Sequence, residues 1–239
     1  MWRALHERLA SESLIYLGDG LNCPYGGRSR EEIRGYSESA VERLLSRGCK
    51  LIVVACNTAS AMSVGYLREK YADIPFVALE PAVKPACLTT ESGVVGVLAT
   101  KRCLEGEMYL NTSSQYRDRV KILESVGEGF VEAVENDEED APATERLVRN
   151  VLEPMLDAGA DRIVLGCTHY PFLLPLMRRI ASGRGVEFLD SGEAVVRRTI
   201  DRLEKFGLAA SPDHEPSYVF ETFADEEYRR HLERKAFGR

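Results

Sequence analysis

Short runs of β-branched and apolar residues recur along the chain and constrain its fold more than any other feature. The run at 51–55 (LIVVA) carries no polar side chain, which is typical of a strand covered by helices on both faces. The runs at 94–98 (VVGVL) and 162–165 (RIVL) resemble it, and helical stretches lie between the three. This alternation predicts an α/β fold with mainly parallel sheets, whose ligands bind beyond the carboxyl ends of the strands.

The apolar pattern also predicts the order of the elements. Strands are predicted at 14–17, 51–55, 74–79, 94–98, 120–123, 162–165, 186–189 and 218–220. Helices are predicted at 2–9, 30–47, 59–71, 103–116, 143–158 and 193–206, with one more after residue 169 and one at the chain end. The two prolines of the segment 80–85 predict a crossover, which gives a first domain at 1–80 plus 192–239 and a second at 81–191. The acidic stretch 132–140 is predicted to be solvated surface.

Charge and composition narrow the class of partner. The 239 residues carry a formal net charge of -7 and have a pI near 5.3, which gives no reason to expect binding to nucleic acid or to anionic membranes. A small-molecule substrate is therefore expected. Arg3, Glu7 and Arg8 interrupt the apolar stretch that a signal peptide needs, and no run of about 18 apolar residues occurs. We expect a cytoplasmic protein.

The six cysteines show no C-x-x-C pair and no spacing typical of a zinc site, so we expect free thiols. Two of them stand out. LIVVACNTASA (51–61) and RIVLGCTHYPFL (162–173) each place a cysteine, Cys56 or Cys167, at the end of an apolar strand and before capping-type polar residues. Cys23, Cys49, Cys87 and Cys103 have no such followers and are predicted to be packing residues.

A lone cysteine at a strand end is usually a small buried hydrophobe, but this explanation is weaker for the pair. Asn57-Thr58 and Thr168-His169 follow the two thiols and would waste their hydrogen-bonding capacity in a dry core. A thiol beside a helix N-terminus has its thiolate favoured by the helix amides, so we expect a lowered thiol pKa there. The pattern therefore favours two reactive thiols.

Three segments carry a specific resemblance to a known family. CNTASA, GCTHYPFL and IYLGDGLNCPYGGRSREEI (15–33) resemble hallmark segments of the glutamate racemase family, and EPAVKPA and VVGVLAT keep the same order along the chain. The resemblance implies two pseudosymmetric α/β domains with the active site in the cleft between them. It also implies catalysis without pyridoxal phosphate or metal, with D-glutamate supplied for peptidoglycan, and a possible homodimer.

Site residues are carried over from the family by position. Cys56 and Cys167 would be the two acid/base groups on opposite faces of the substrate Cα, since racemisation removes a proton from one face and delivers one to the other. Residues that would bind the substrate are Tyr25, Gly26, Asn57, Thr58, Thr168 and His169.

For three of the residues carried over from the family, the sequence allows two roles each. His169 either assists proton transfer or orients the substrate through a hydrogen bond. Glu135 resembles a family glutamate near the site, but its neighbours fit a solvated acidic face equally well. Asp19 stands in the Gly-Asp turn of the family, where a structural role competes with a catalytic one.

The chain departs from the family pattern at its start. Family members open with a strand and a Phe-Asp-Ser-Gly segment, whose aspartate and serine are expected to contact the substrate amino group, and nothing before Trp2 matches it. Either the coding region was read from a downstream methionine, which we favour, or the chain is a short form.

Alternatives to glutamate racemisation remain open at this point. A racemase for aspartate or another amino acid would share both cysteines. A catalytically silent, racemase-like binding protein would fit the unmatched opening segment, and a Cys-His hydrolase using Cys167 and His169 would leave Cys56 without a task.

Overall fold

A computed structural model describes residues 1–238 of the chain. The strands are β1 Leu14–Gly18, β2 Ile52–Val54, β3 Phe76–Ala78, β4 Val94–Ala99, β5 Lys121–Val126, β6 Arg162–Gly166, β7 Glu187–Leu189 and β8 Tyr218–Thr222. The helices are α1 Trp2–Arg8, α2 Arg30–Ser46, α3 Asn57–Lys70, α4 Val83–Thr89, α5 Lys101–Leu104, α6 Glu107–Ser114, α7 Phe130–Glu135, α8 Pro142–Asp157, α9 Leu174–Ile180, α10 Gly192–Lys205 and α11 Glu226–Phe237. A 3₁₀ turn, Tyr170–Leu173, precedes α9.

The described chain divides into two compact units. Within the described residues, unit 1 comprises 1–55, 62–78 and 192–238, and unit 2 comprises 56–61 and 79–191. The segment 56–61, which the sequence assigned to the first domain, therefore groups with unit 2. The domain boundaries predicted from the sequence stay a prediction. No helix among residues 1–238 is long and apolar enough to cross a membrane.

Every strand pairing in the described chain is parallel. Unit 2 holds a four-stranded sheet in the order β5-β4-β6-β7, and unit 1 holds the pairs β1-β8 and β2-β3. Parallel strands need crossover connections, and helices provide them here. The predicted α/β fold with mainly parallel sheets is confirmed.

The core of unit 2 forms on the central strand β4. Val95, Val97 and Ala99 alternate along one face of β4 and are fully buried against α4 and Tyr109. On the other face, a Cβ at Gly96 would lie 2.5 Å from the side chain of Ile163 in β6, so helices and neighbouring strands enclose β4 closely. A strand covered on both faces explains the unbroken apolar run in the sequence.

The core of unit 1 uses α1 as a cover. Trp2 is buried against Phe220 of β8, with ring centroids 4.5 Å apart, and contacts Tyr16 of β1 edge-on. Leu5 and Leu9 pack with Val196 and Leu203, and the last two lie in α10. The first predicted helix is thus confirmed, and its apolar face packs on both the sheet and α10.

Helix α4 is absent from the sequence prediction because of its prolines. Pro81 lies before the helix, and Pro85 occupies its first turn. The first N–H groups of a helix have no partner within the helix, so a proline there removes no hydrogen bond. The prolines therefore start α4 rather than exclude it.

The predicted helix at 103–116 is wrong in its continuity. The structure has two shorter helices, α5 and α6, which are interrupted at Glu105-Gly106. A Cβ at Gly106 would lie 2.7 Å from the Cβ of Ala61 and 3.2 Å from the carbonyl oxygen of Cys103. Gly106 thus allows the start of α6 to approach the first turns of α3.

Replacing Gly106 with alanine is expected to lower the free energy of unfolding by about 1–3 kcal/mol, because the new methyl group would overlap that of Ala61. Gly65→Ala is the matched control: Gly65 lies exposed within α3 with nothing within 4 Å of the added Cβ. This control should gain about 0.5–1 kcal/mol from helix propensity. Urea titration measures both, and shifts of the same sign would contradict the close approach.

Candidate active site

Cys56 lies directly before α3 and acts as its N-terminal cap. Its carbonyl oxygen accepts from the N–H of Ser60 at 2.9 Å, and its Sγ accepts from the N–H of Ala59 at 3.5 Å. The sequence predicted that Asn57 and Thr58 would cap a helix starting at Ala59. That prediction is wrong, because both residues belong to the first turn and the cysteine takes the capping position.

Asn57 and Thr58 lie in the first turn of α3 and are buried, each 3% exposed. Thr58 Oγ1 lies 2.8 Å from Thr100 Oγ1, so the two hydroxyls share a hydrogen bond. The Oδ1 atom of Asn57 is buried and has no hydrogen-bond partner within residues 1–238. A buried amide oxygen without a donor is costly, so this atom is suited to accept a hydrogen bond from a bound ligand.

Thr100 is a member of this group that the sequence analysis missed. It follows β4 directly, and its Oγ1 also accepts from the N–H of Cys103 at 3.3 Å, which caps α5. The signal was present in the sequence, since a threonine directly after an apolar strand repeats the pattern that singled out the residues after Cys56. Thr100 thus links the ends of β4 and α5 to the turn that follows Cys56.

Cys167 follows β6 directly and is 8% exposed. Its carbonyl oxygen accepts from the N–H of Tyr170 at 3.1 Å, so the chain turns at once and keeps the thiol at the strand end. His169 lies within this turn, with Nδ1 3.8 Å from the Sγ of Cys167. The thiol and the imidazole are therefore in contact.

Glu135 completes a chain of polar groups. Its Oε1 lies 2.6 Å from Nε2 of His169, and both side chains are about three-quarters buried. The prediction that 132–140 is solvated surface is therefore wrong for Glu135, although Glu132 and Asp140 are exposed. A carboxylate on one ring nitrogen orients the imidazole so that the other nitrogen meets the thiol.

Tyr170 fixes the geometry of this chain of groups. It is fully buried, its hydroxyl donates to the carbonyl oxygen of Gly127 at 3.4 Å, and its ring meets that of Phe130 edge-on with centroids 5.2 Å apart. Phe130 opens α7, the helix that ends with Glu135. Tyr170 therefore ties the turn containing Cys167 and His169 to the helix that carries the carboxylate.

The pKa of the Cys56 thiol is raised above its ordinary value. Burial raises the pKa of the Cys56 thiol, the charge of a Cys167 thiolate raises it further, and the Ala59 amide and the charge of His169 lower it. The net shift is upward, because burial outweighs the amides and the imidazole. The expectation of a lowered pKa at this helix end is therefore wrong for Cys56.

The remaining predicted residues, Asp19, Tyr25 and Gly26, belong to a loop of unit 1 between β1 and α2. Thr168 lies partly buried between Cys167 and His169 in unit 2. All six cysteines are free; Cys87 and Cys103 are buried, whereas Cys23 and Cys49 are partly exposed. Unit 2 thus brings together Cys56, Asn57, Thr58, Cys167, Thr168, His169 and Glu135.

These features define an α/β protein in which two free thiols, Cys56 and Cys167, lie beyond the ends of parallel strands. Residues 1–199 match the family model described as Asp/Glu/Hydantoin racemase, and the chain belongs to that family. The resemblance seen in the sequence is confirmed.

Named relatives agree with this assignment. A glutamate racemase from Roseiflexus sp. (strain RS-1) is 45% identical over 206 residues, which are 86% of this chain and 75% of that protein. Glutamate racemase isoform RacE1 from Bacillus anthracis has a similar structure, with a TM-score of 0.86 and 29% identity over 99% of this chain and 88% of that one. Escherichia coli glutamate racemase, solved with L-glutamate and the activator UDP-MurNAc-ala, gives a TM-score of 0.83 and 29% identity over 98% and 89% of the chains.

Proposed function

We propose that this protein interconverts L- and D-glutamate and so supplies D-glutamate for peptidoglycan synthesis. The observation that carries the proposal is that unit 2 contains both thiols, with Cys56 capping α3 and Cys167 lying 3.8 Å from Nδ1 of His169. Racemisation needs an acid and a base on opposite faces of one carbon, and a coupled pair of thiols can hold one proton between them. Similarity to glutamate racemases supports glutamate as the substrate.

In the proposed reaction, one sulfur takes the Cα proton while the other delivers its own proton to the opposite face. The C–H bond breaks as an S–H bond forms on the first side, and the reverse occurs on the second, so the thiol and thiolate exchange places. Cys56 begins as the thiol, because its pKa is raised. The reverse reaction uses the same groups with their roles exchanged, so both sulfurs serve as acid and as base.

In this proposal, His169 and Glu135 activate the thiol of Cys167 by providing an acceptor for its proton. A carboxylate accepts hydrogen bonds only, so the short contact with Glu135 directs the Nε2–H of His169 to Oε1. Nδ1 is then the atom that faces Cys167 and can take the proton of its thiol. In this proposal the imidazolium that results is stabilised by Glu135, and Cys167 becomes the base.

Binding of the substrate is assigned to polar groups beside the thiols. The buried Oδ1 of Asn57 would accept from the substrate ammonium, and Thr58, Thr168 and His169 would contact the ammonium and carboxylate groups. Tyr25 and Gly26 would complete the site. We further propose, following the family resemblance, that no pyridoxal phosphate or metal takes part, that the protein is cytoplasmic, and that it forms a homodimer.

The test is turnover of single enantiomers in deuterated water. Purified protein should convert L-glutamate to D-glutamate and the reverse, and each product should carry deuterium at Cα, since the incoming proton comes from a thiol that exchanges with solvent. L-aspartate should turn over at least about a hundredfold more slowly, because a shorter side chain leaves polar groups of the site unpaired. Absence of both turnover and deuterium incorporation would refute the proposal, and faster turnover of aspartate would reassign the substrate.

A further inference from the structure

The loop between β1 and α2 is held at its start by α11. A Cβ at Gly18 would lie 2.4 Å from the side chain of Leu232, and a Cβ at Gly20 would lie 2.2 Å from the ring of Tyr228. The absence of a Cβ at both positions leaves room for these side chains, so the backbone on either side of Asp19 lies close to α11. The backbone position of Asp19 is therefore fixed, and its side chain extends along the loop.

Asp19 accepts hydrogen bonds from two residues further along this loop. Its Oδ1 accepts from the backbone N–H of Asn22 at 3.3 Å, and Nδ2 of Asn22 lies 2.9 Å from both carboxylate oxygens. Its Oδ2 accepts from the hydroxyl of Tyr25 at 2.6 Å. The main-chain oxygen of Asp19 adds a bond from the N–H of Cys23 at 3.2 Å. Asp19 thus acts as the acceptor at the centre of the loop.

The far end of the loop is also fixed. The N–H of Arg28 donates to the carbonyl oxygen of Tyr25 at 3.1 Å, and Ser29 and Glu32 form a reciprocal capping box that starts α2. The ring of Tyr25 lies 5.8 Å from that of Tyr36 in α2. Tyr25 and Gly26 therefore lie between the contact of the loop with α11 and the start of α2. The hydrogen bond from Tyr25 to Asp19 holds the turn between them through a side chain.

The direction of the hydrogen bond decides what Tyr25 can offer to a substrate. A phenol has one proton, and that of Tyr25 is donated to Asp19, so the hydroxyl cannot also donate to a substrate carboxylate. Gly26 has no side chain and can contact a substrate only through its main chain. Recognition of a carboxylate by the Tyr25-Gly26 turn then falls to its main-chain N–H groups, whose positions depend on the fixed turn.

We infer that Asp19 is a positioning residue, which together with Asn22 engages the Tyr25 hydroxyl and holds the Tyr25-Gly26 turn ready to bind the substrate carboxylate through main-chain N–H groups. The inference rests on the proposed function. It removes Asp19 from the set of acid/base groups and gives Tyr25 a structural rather than a substrate-contacting hydroxyl.

The test is a double-mutant cycle on kinetic constants. Asp19→Asn, Tyr25→Phe and the combined variant are compared with wild type and with Tyr36→Phe, which removes a hydroxyl from the neighbouring, similarly buried tyrosine. Tyr25→Phe should raise KM for glutamate about tenfold, because the hydrogen bond that orders the loop is lost. Asp19→Asn should raise KM less, because the amide oxygen can still accept from Tyr25 but without the charge that strengthens the bond, and kcat should stay within about twofold in both variants. The combined variant should be no worse than Tyr25→Phe alone, since both changes act on the same hydrogen bond.

Several outcomes would overturn the inference while the proposed function stands. Multiplied effects in the combined variant would mean that Asp19 and Tyr25 act separately. A fall in kcat in Asp19→Asn, with a displaced limb in its pH profile, would make Asp19 an acid/base group. An unchanged KM in Tyr25→Phe, or an equal rise in Tyr36→Phe, would also overturn it. An inactive wild type would instead refute the proposed function, and the inference with it.

Discussion

Replacing either Cys56 or Cys167 with alanine is expected to lower racemisation of glutamate at least about a thousandfold, because one of the two faces of Cα loses its proton-transfer group. The loss should be similar in both directions of the reaction, since each direction needs both sulfurs. Cys87→Ala is the matched control: Cys87 is 7% exposed, close to the 8% of Cys167, and lies in the apolar core of unit 2. Its turnover should stay within about twofold of wild type after correction for folded fraction.

Cys56→Ala and Cys167→Ala should differ in which enantiomer of glutamate still exchanges its Cα proton with solvent deuterium. A single sulfur can still remove a proton from its own face and return a solvent deuteron to that face, which labels the substrate without inverting it. Cys56→Ala should therefore exchange one enantiomer of glutamate and Cys167→Ala the other, as read by mass spectrometry in deuterated water. If both variants exchanged the same enantiomer, or if Cys56→Ala kept full turnover, the two-sided mechanism would be wrong.

Much of the fold follows from the sequence because its elements are long and strongly patterned. Strand β4 and helix α8 lie close to their predicted positions, since an unbroken apolar run or a regular helical stripe leaves few alternatives. The errors in the predicted elements arose where contacts between distant parts of the chain determine where a helix begins or ends. The interruption at Gly106 depends on Ala61, which lies 45 positions earlier in the chain, and local periodicity carries no information about such a contact.

In the candidate site, too, local sequence patterns predicted some features, whereas others depend on tertiary contacts. Cys56 and Cys167 were predictable because each follows an apolar strand and precedes polar residues that a core would not accommodate. The role of Glu135 was not, because six acidic residues lie within nine positions and only packing on α7 decides which of them turns inward. The direction of the Cys56 pKa shift was missed for a related reason. The helix amides can be inferred from the sequence, but the burial that outweighs them is a property of the folded chain.

The contact between His169 and Glu135, the last residue of α7, leads to the second large prediction. Replacing His169 with glutamine should lower kcat about a hundredfold near neutral pH, because the Cys167 thiol loses the Nδ1 acceptor that lies 3.8 Å away. Glu135→Gln should have a smaller effect, about tenfold, since the amide oxygen can still accept from Nε2 while the charge that stabilises the imidazolium is lost. Glu132→Gln, an exposed position on the same helix, serves as the control and should leave kcat within about twofold.

The pH profile tests the same coupling independently of the rate. The charge of His169 is one of the causes that lower the Cys56 pKa, so its removal should raise that pKa beyond its already elevated value. Activity that requires Cys56 as a thiol is lost when pH rises through this pKa. The alkaline limb of kcat/KM for that direction should therefore move to higher pH in His169→Gln and stay in place in Glu132→Gln. A limb that moved to lower pH, or shifted equally in the control, would show that His169 does not act on Cys56 through its charge.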